Sequence, residues 1–387
     1  MYKTGDLVAQ RIESYCRTWR LWIDNAEGEV IMGERITSGT STVQSTSISD
    51  DIELGAVCSQ SWQLSIADSS ENFLGKEYNL SLYLVDYSHG ETTYSTLESY
   101  TYAELSKLTV EQISNLGEIL GGERIPLGRF TCVKSKKSGG NTEVTFADRL
   151  YFSDKVYKPN VTLPAWSKVI EDDICKQLGL QNGNDYTTPA KLRVKGGARL
   201  YGKGHIRLKT ANFDFKINAV PKDTTMRQML SYIASAQGEF GYVDRFGRYV
   251  RKWYGRPVKL LDNNTIDLPT LSERQNVIVG IVCNVSDSQT LRLGNTTGST
   301  GRVLEFENPY MTSSLLQSLW HRIQGFSWYT TELFHRLGDP RFDIGDVVTY
   351  DSGAETFDIP ITNLGFNFDG GLSADISAVG LSVEEQL

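Results

Sequence analysis

"GDPRFDIGDVVTYDSG", Gly338 to Gly353, sets four aspartates, three glycines and a proline among strand-forming residues. Either the carboxylates converge on a metal or a proton, or the chain is turning corners between strands. A calcium loop would need acids at alternate positions, then glycine and a distal glutamate. Here Asp339, Asp343 and Asp346 are separated by apolar Phe342 and Ile344. Those two alternate inward as a strand does. Gly338, Asp339 and Pro340 read as one turn, Ile344, Gly345 and Asp346 as a second, and Val347, Val348 and Tyr350 as the start of the next strand. The stretch therefore reads as turn, strand, turn, and the fold as one built on β-strands.

Outward from it, period-two alternation dominates the first part of the chain. It runs through Trp62, Leu64 and Ile66, through Leu80, Leu82 and Leu84, through Phe130 and Cys132, and through Val144 and Phe146. The Ser/Thr-rich run "GERITSGTSTVQSTSIS" from Gly33 to Ser49 reads as an exposed edge strand or loop. Capping boxes at Thr101/Glu104 and Thr109/Gln112 predict short helices between strands. The middle changes period. Trp166, Val169, Ile170, Ile174 and Leu178 recur at helical spacing after Pro164 and stop at Gly179. Met226, Met229, Leu230, Ile233 and Ala234 repeat the pattern up to Gly238, and a hairpin follows that turns at Asp244 to Gly247. Near the end, Leu315, Leu316, Leu319, Trp320 and Ile323 define one amphipathic helix between strands. The class is α+β, mainly β.

A chain of 387 residues exceeds one ordinary core, so two to four modules are expected. With 40% hydrophobic and 22% charged residues it has the composition of a folded soluble protein. No apolar run reaches membrane-span length and the N-terminus lacks the apolar block of a signal peptide, so folding in a cytoplasm without a membrane anchor is expected. Cys16, Cys58, Cys132, Cys175 and Cys283 never form a C-x-x-C pair, which favours buried free thiols over disulfides or zinc. The net charge of −8 conceals a division. Residues 1–155 hold 14 Lys and Arg against 22 Asp and Glu, 156–265 hold 19 against 9, and 266–387 hold 6 against 16. Sign asymmetry of this kind reports on partners. The basic middle is expected to face acidic protein partners.

Lys191 to Lys209 carries seven basic side chains and no acid, with Tyr201 and His205 among glycines. A nucleic-acid groove would use such residues. The spacing matches no phosphate-binding loop, so it reads as a solvated hairpin or loop. His89, His205, His321 and His335 lie in no H-E-x-x-H and beside no nucleophile motif. No catalytic, cofactor-binding or metal-binding residue is expected, and hence no enzyme.

Taken in order, "ERIPLGRFTCVKSKKSGGNTEVTFADRLYFSDKVY", "TTMRQMLSYIASAQGEFGYVDRFGRYV", "NPYMTSSLLQSLWHRIQGF" and "GDPRFDIGDVV" with "FDGGLSADISAVG" resemble the baseplate hub proteins of bacteriophage tails. The same module forms the N-terminal part of tail-associated lysins and prophage tail endopeptidases, and related hubs occur in phage-tail-like bacteriocins. The resemblance spans nearly the whole chain. It implies two tail-tube-like β-barrel domains, 1–155 and 266–387, flanking a mixed α/β middle region, 156–265. It further implies a homotrimer in the virion tail whose barrels match the hexameric tail tube. The implied partners are the tube or distal tail ring, the tape-measure protein and the tip spike, fibre or receptor-binding proteins, with DNA passing through unbound. On this reading Gly338 to Val348 leads into the last barrel, and the acids of the outer segments face a channel that keeps DNA mobile. Lysin-type relatives continue into a hydrolase domain. This chain stops at "GLSVEEQL", so any peptidase is expected to be a separate protein.

Two other classes compete. Seven Trp, 19 Tyr and an acid-rich β framework would suit a glycan-binding or cell-wall-degrading tail protein. A DNA-binding module using Lys191 to Lys209 would show salt-dependent affinity, and the net charge weighs against it.

Overall fold

The computed structural model describes residues 1–14, 17–25, 30–32, 35–42, 44–46, 51–67, 72–85, 123–184, 214–261, 266–297, 301–369 and 371–380, with scattered positions between 97 and 119. Expectations for Cys16, His89, the capping boxes at Thr101 and Thr109, and Lys191 to Lys209 with His205 fall wholly or partly outside these residues.

A single 12-stranded sheet organises the molecule. From one end its strands are Thr270–Leu271, Thr331–His335, Leu372–Ala378, Asn363–Phe368, Ile36–Ser41, Ser61–Ala67, Asn141–Ala147, Ile125–Ser138, Glu77–Leu84, Trp19–Asp24 and Ile31–Met32, with Gln44–Ser45 also on Asn363–Phe368. Among the described residues the two ends of this order do not pair, so the ladder is open there. The alternation read from Trp62, Leu64 and Ile66, from Leu80, Leu82 and Leu84, and from Val144 and Phe146 is buried as expected.

Ile36–Ser41 departs from its reading as an edge or loop. It lies inside the sheet, with Ser61–Ala67 on one side and Asn363–Phe368 on the other, and so joins strands of residues 19–147 to strands of residues 270–378. The hydroxyls that suggested exposure work across the ladder. Phe366 N–H donates to Ser41 Oγ (2.7 Å), and Thr40 Oγ1 donates to Asn367 Oδ1 (3.2 Å). Thr40 lies on the wet face of the antiparallel sheet, whereas Ser41 is buried with its hydroxyl hydrogen-bonded.

Four described α-helices flank the sheets: α1 (Asp6–Ile12), α2 (Ser167–Leu178), α3 (Met226–Gln237) and α4 (Ser313–Ile323). Helix α3 follows its expected face, opens on a Thr225/Gln228 capping box and closes at left-handed Gly238. Helix α2 ends at Gly179 as expected, but Trp166 and Val169 stay exposed while Glu171 and Asp173 point inward. The reason is pairing. Glu171 meets Arg251, and Asp173 accepts from Tyr157 Oη (2.8 Å), which keeps two acids on the inner face. The hairpin Phe240–Val243/Arg248–Lys252 turns at Asp244 to Gly247 as read. One core cluster runs from Trp62 and Phe146 through Ile170 and Leu230 to Ile344 and Phe366. Among the described residues no helix is long and apolar enough to cross a membrane.

Candidate functional site

The stretch Gly338 to Gly353 folds as two turns with no strand between them. Up to Asp346 its backbone is held by side chains as well as by backbone bonds, Tyr2 N–H donating to the Arg341 carbonyl (2.8 Å) and Gly345 N–H to the Ile361 carbonyl (2.7 Å). Arg245 donates to the carbonyls of Pro340 and Phe342, Arg17 to those of Leu337 (2.8 Å) and Gly338 (2.9 Å), and the N–H of Asp343 donates to Asp346 Oδ2 (3.0 Å). Phe342 and Ile344 are buried as read, and Gly338 and Gly345 take positive φ at the turns. Val347–Asp351 then enters a separate three-stranded sheet, antiparallel to Thr356–Pro360 and parallel to Pro257–Leu260.

Each of the three aspartates meets a cation of the chain itself. Asp339 Oδ1 accepts from the backbone N–H (3.0 Å) and Nε (2.9 Å) of Arg341, and its Oδ2 accepts from Arg341 Nη2 (2.7 Å) and Lys259 Nζ (3.0 Å). Asp343 Oδ1 takes Arg245 Nε at 2.8 Å. Asp346 Oδ1 takes Lys252 Nζ at 2.7 Å, and its Oδ2 lies 2.6 Å from the Met1 amino group. Glu13, beside the C-terminal end of α1, approaches Arg341 Nη2 at 3.7 Å. Residues near positions 1, 250 and 340 therefore converge on one buried ionic knot.

Its electrostatics fit binding the chain together rather than acid/base work. Burial pushes the Asp339 carboxyl up, but the hydrogen bond to Arg341 and the charges of Lys259 and Arg341 hold it well below the usual carboxylate range. Asp346 behaves alike, with burial opposed by Lys252 and the amino terminus, and its value ends lowered. Carboxylates pinned in the ionised form cannot donate a proton near neutral pH. Among the described residues no group of three or more His, Cys, Asp or Glu is placed to hold a metal ion.

A second buried network lies on the other side of the same hairpin. Arg251 Nε and Nη1 bond Glu171 (2.7 Å) and Glu239 (2.8 Å), and Glu239 also takes Arg322 of α4 at 2.7 Å. Arg227 of α3 donates to Asp154 (2.6 Å) and to the carbonyls of Val57 (2.6 Å) and Leu150 (2.9 Å). Thus the cations of the described middle region, expected to face other proteins, are to a large degree spent inside the chain. Arg245, Lys252 and Lys259 serve the acidic last segment directly. Sequence reasoning missed them because each lies some eighty to a hundred residues from its partner, a separation no local motif records.

Elsewhere the chemistry is structural. Asp148, pushed up to about 7 by burial against its backbone donors, is 2% exposed and caps the turn 149–152 through Leu150 N–H (2.9 Å) while accepting Gln60 N–H (2.6 Å). Burial pushes the thiols of Cys58 and Cys132 up to about 11 and that of Cys283 to about 12, so they are poor nucleophiles. His321 is exposed on α4, and His335 is buried against Phe342. An open cleft of about 260 Å³ beside the knot is lined by Tyr2, Tyr242, Phe246 and Val250 together with the paired Arg245 and Lys252.

Among solved structures the fold is similar to that of a tail protein. A tail protein from Neisseria meningitidis matches at a TM-score of 0.52 and 12% identity, over 93% of this chain and 95% of that one. The 43 kDa tail protein of prophage MuSo2 from Shewanella oneidensis gives 0.49 at 11% identity, over 93% and 97%, and prophage tail protein gp18 from Listeria monocytogenes gives 0.48 at 9%, over 95% and 96%. No protein-family model matches the sequence, and no curated protein matches it.

Proposed function

We propose that this chain is a structural protein of a phage or phage-like tail tip: a homotrimeric hub that adapts the hexameric tail tube to a threefold tip and forms the end of the channel for genome or tape-measure passage. The observation that carries the reading is the fold shared with the Neisseria tail protein across almost the full length of both chains. The order of hub-like segments in the sequence supports the finer role. Residues 1–155 and 266–387 are then the two tube-like β modules, and 156–265 connects them. The tail tube or distal ring, the tape-measure protein and the tip spike or fibre are its partners. The ionic knot supports a non-enzymatic reading, since its charges neutralise one another.

Purified protein should sediment as three copies and should release no reducing sugar or muropeptide from cell walls. A monodisperse monomer at high concentration would overturn the hub, and cell-wall release would favour the degrading tail protein instead.

A further inference from the structure

Two hairpins of opposite charge project from the chain and do not pair with each other. The first is the end of Ile125–Ser138 and Asn141–Ala147. Positions 134–140 are all exposed, and Lys134, Lys136 and Lys137 lie within them. In the ladder Glu143 stands opposite Lys136, which leaves the hairpin with three cations and one acid. Among the described residues none of the three lysines makes an ion pair. Glu77–Leu84 covers this strand only as far as Thr131, so the outer edge of Lys134–Ser138 has no neighbouring strand among the described residues. The second hairpin joins Val347–Asp351 to Thr356–Pro360. It carries Asp351, Glu355 and Asp358 and no cation, with 352–356 and Asp358 exposed. Thr356–Pro360 is likewise the outer strand of its sheet.

Lysines on an open edge often serve only to repel other strands. The acidic counterpart on a second open edge of the same chain is what that explanation leaves unused. We propose that the lysine hairpin 134–143 of one copy docks on the acidic hairpin 350–358 of the next. The contact is heterologous, because the two surfaces differ. Repeated around an axis such contacts close a ring, and if the rotation does not close they grow an open filament. Opposite charges at exposed tips speed and orient encounter and are screened by salt. The occupant is a second copy because complementary charge, a net positive hairpin and an acidic one, is found on this chain itself. The inference rests on the trimer of the preceding section and names the surfaces that make it.

The test is charge exchange read by light scattering on the full chain. Lys134→Glu, Lys136→Glu and Lys137→Glu together should convert the oligomer to monomer, as should Glu355→Lys with Asp358→Lys. All five changes in one chain should restore the wild-type mass, and an equimolar mixture of the two reversed proteins should recover only mixed contacts. Raising sodium chloride from 0.05 to about 0.5 M should weaken the wild-type oligomer. Unchanged melting of each variant excludes misfolding; if the glutamates do unfold the hairpin, the Lys→Gln triple reads the same loss. A wild-type trimer that survives both reversals would overturn the docking while leaving the hub reading intact. A wild-type monomer would overturn both.

Discussion

Asp339 is fully buried and accepts three hydrogen bonds from two cationic side chains and one from a backbone N–H, which makes it the residue where loss of a charge should be felt most. Replacing it with Asn leaves Arg341 and Lys259 facing a neutral group, and breaking a buried ion pair from one side costs about 3–5 kcal/mol. We expect Asp339→Asn to lower stability by that order in denaturant titration; a change under about 1 kcal/mol would show the knot to be ornamental. The same pairing fixes a pH response. Asp339 and Asp346 are held below the ordinary carboxylate value of about 4. A depressed carboxyl contributes stability that is complete above its unfolded value and fades as pH falls through the folded one. Melting temperature should therefore be lost below about pH 4, and Asp339→Asn should shrink that loss; identical acid profiles for mutant and wild type would exclude the assignment. Gly345 is the steric counterpart. Its φ is 72°, and a Cβ there would sit 2.4 Å from Phe240 Cζ. Gly345→Val adds left-handed strain to overpacking, for about 2–4 kcal/mol in total. An unchanged melting temperature would contradict this geometry.

The strand Ile36–Ser41 shows what an element's own sequence reveals and what it withholds. Its alternation was legible only on one face, because Gly39 and Ser41 occupy buried positions where an apolar residue would have announced a strand. Ser41 is buried because its hydroxyl replaces a backbone acceptor for Phe366 N–H, and the partner lies 325 residues away. Ser41→Val should orphan that buried donor and cost about 1–3 kcal/mol, whereas Thr40→Val, at an exposed position, should be near neutral. Equal effects at the two positions would mean that the hydroxyl at 41 has no special role. Helix α3 was legible from Met226 to Ala234, where its inner face is apolar, but not at buried Ser235 and Gln237. Helix α2 was legible in its stop and at Ile170, Ile174 and Leu178 but not at Trp166, Val169 or Glu171, since an inward Glu171 is intelligible only once Arg251 is in place. The turns at Gly338 and Gly345 followed from local chemistry, but the cations that lock them come from other segments.

Across the whole molecule, the charge division that read as a surface signal is partly an internal one. The basic middle gives Arg245, Lys252 and Lys259 to Asp343, Asp346 and Asp339, while the first segment lends a strand to the last. Segments coupled in both ways should unfold together. Calorimetry of the full chain should show one transition, and Asp339→Asn should move all of it rather than a C-terminal part. The shared strand makes the stricter demand. Residues 1–155 alone would keep the pairing of Ile36–Ser41 with Ser61–Ala67 but lose Asn363–Phe368, exposing an edge with unpaired N–H and C=O groups and an unmet Ser41. No proline lies within it to block a new partner. That fragment should therefore associate through the edge, and adding residues 266–387 in trans should suppress the association by restoring the missing strand. Light scattering of the fragment decides the matter: a soluble monomer with native strand content and no response to the added segment would mean that the first module is complete without the last.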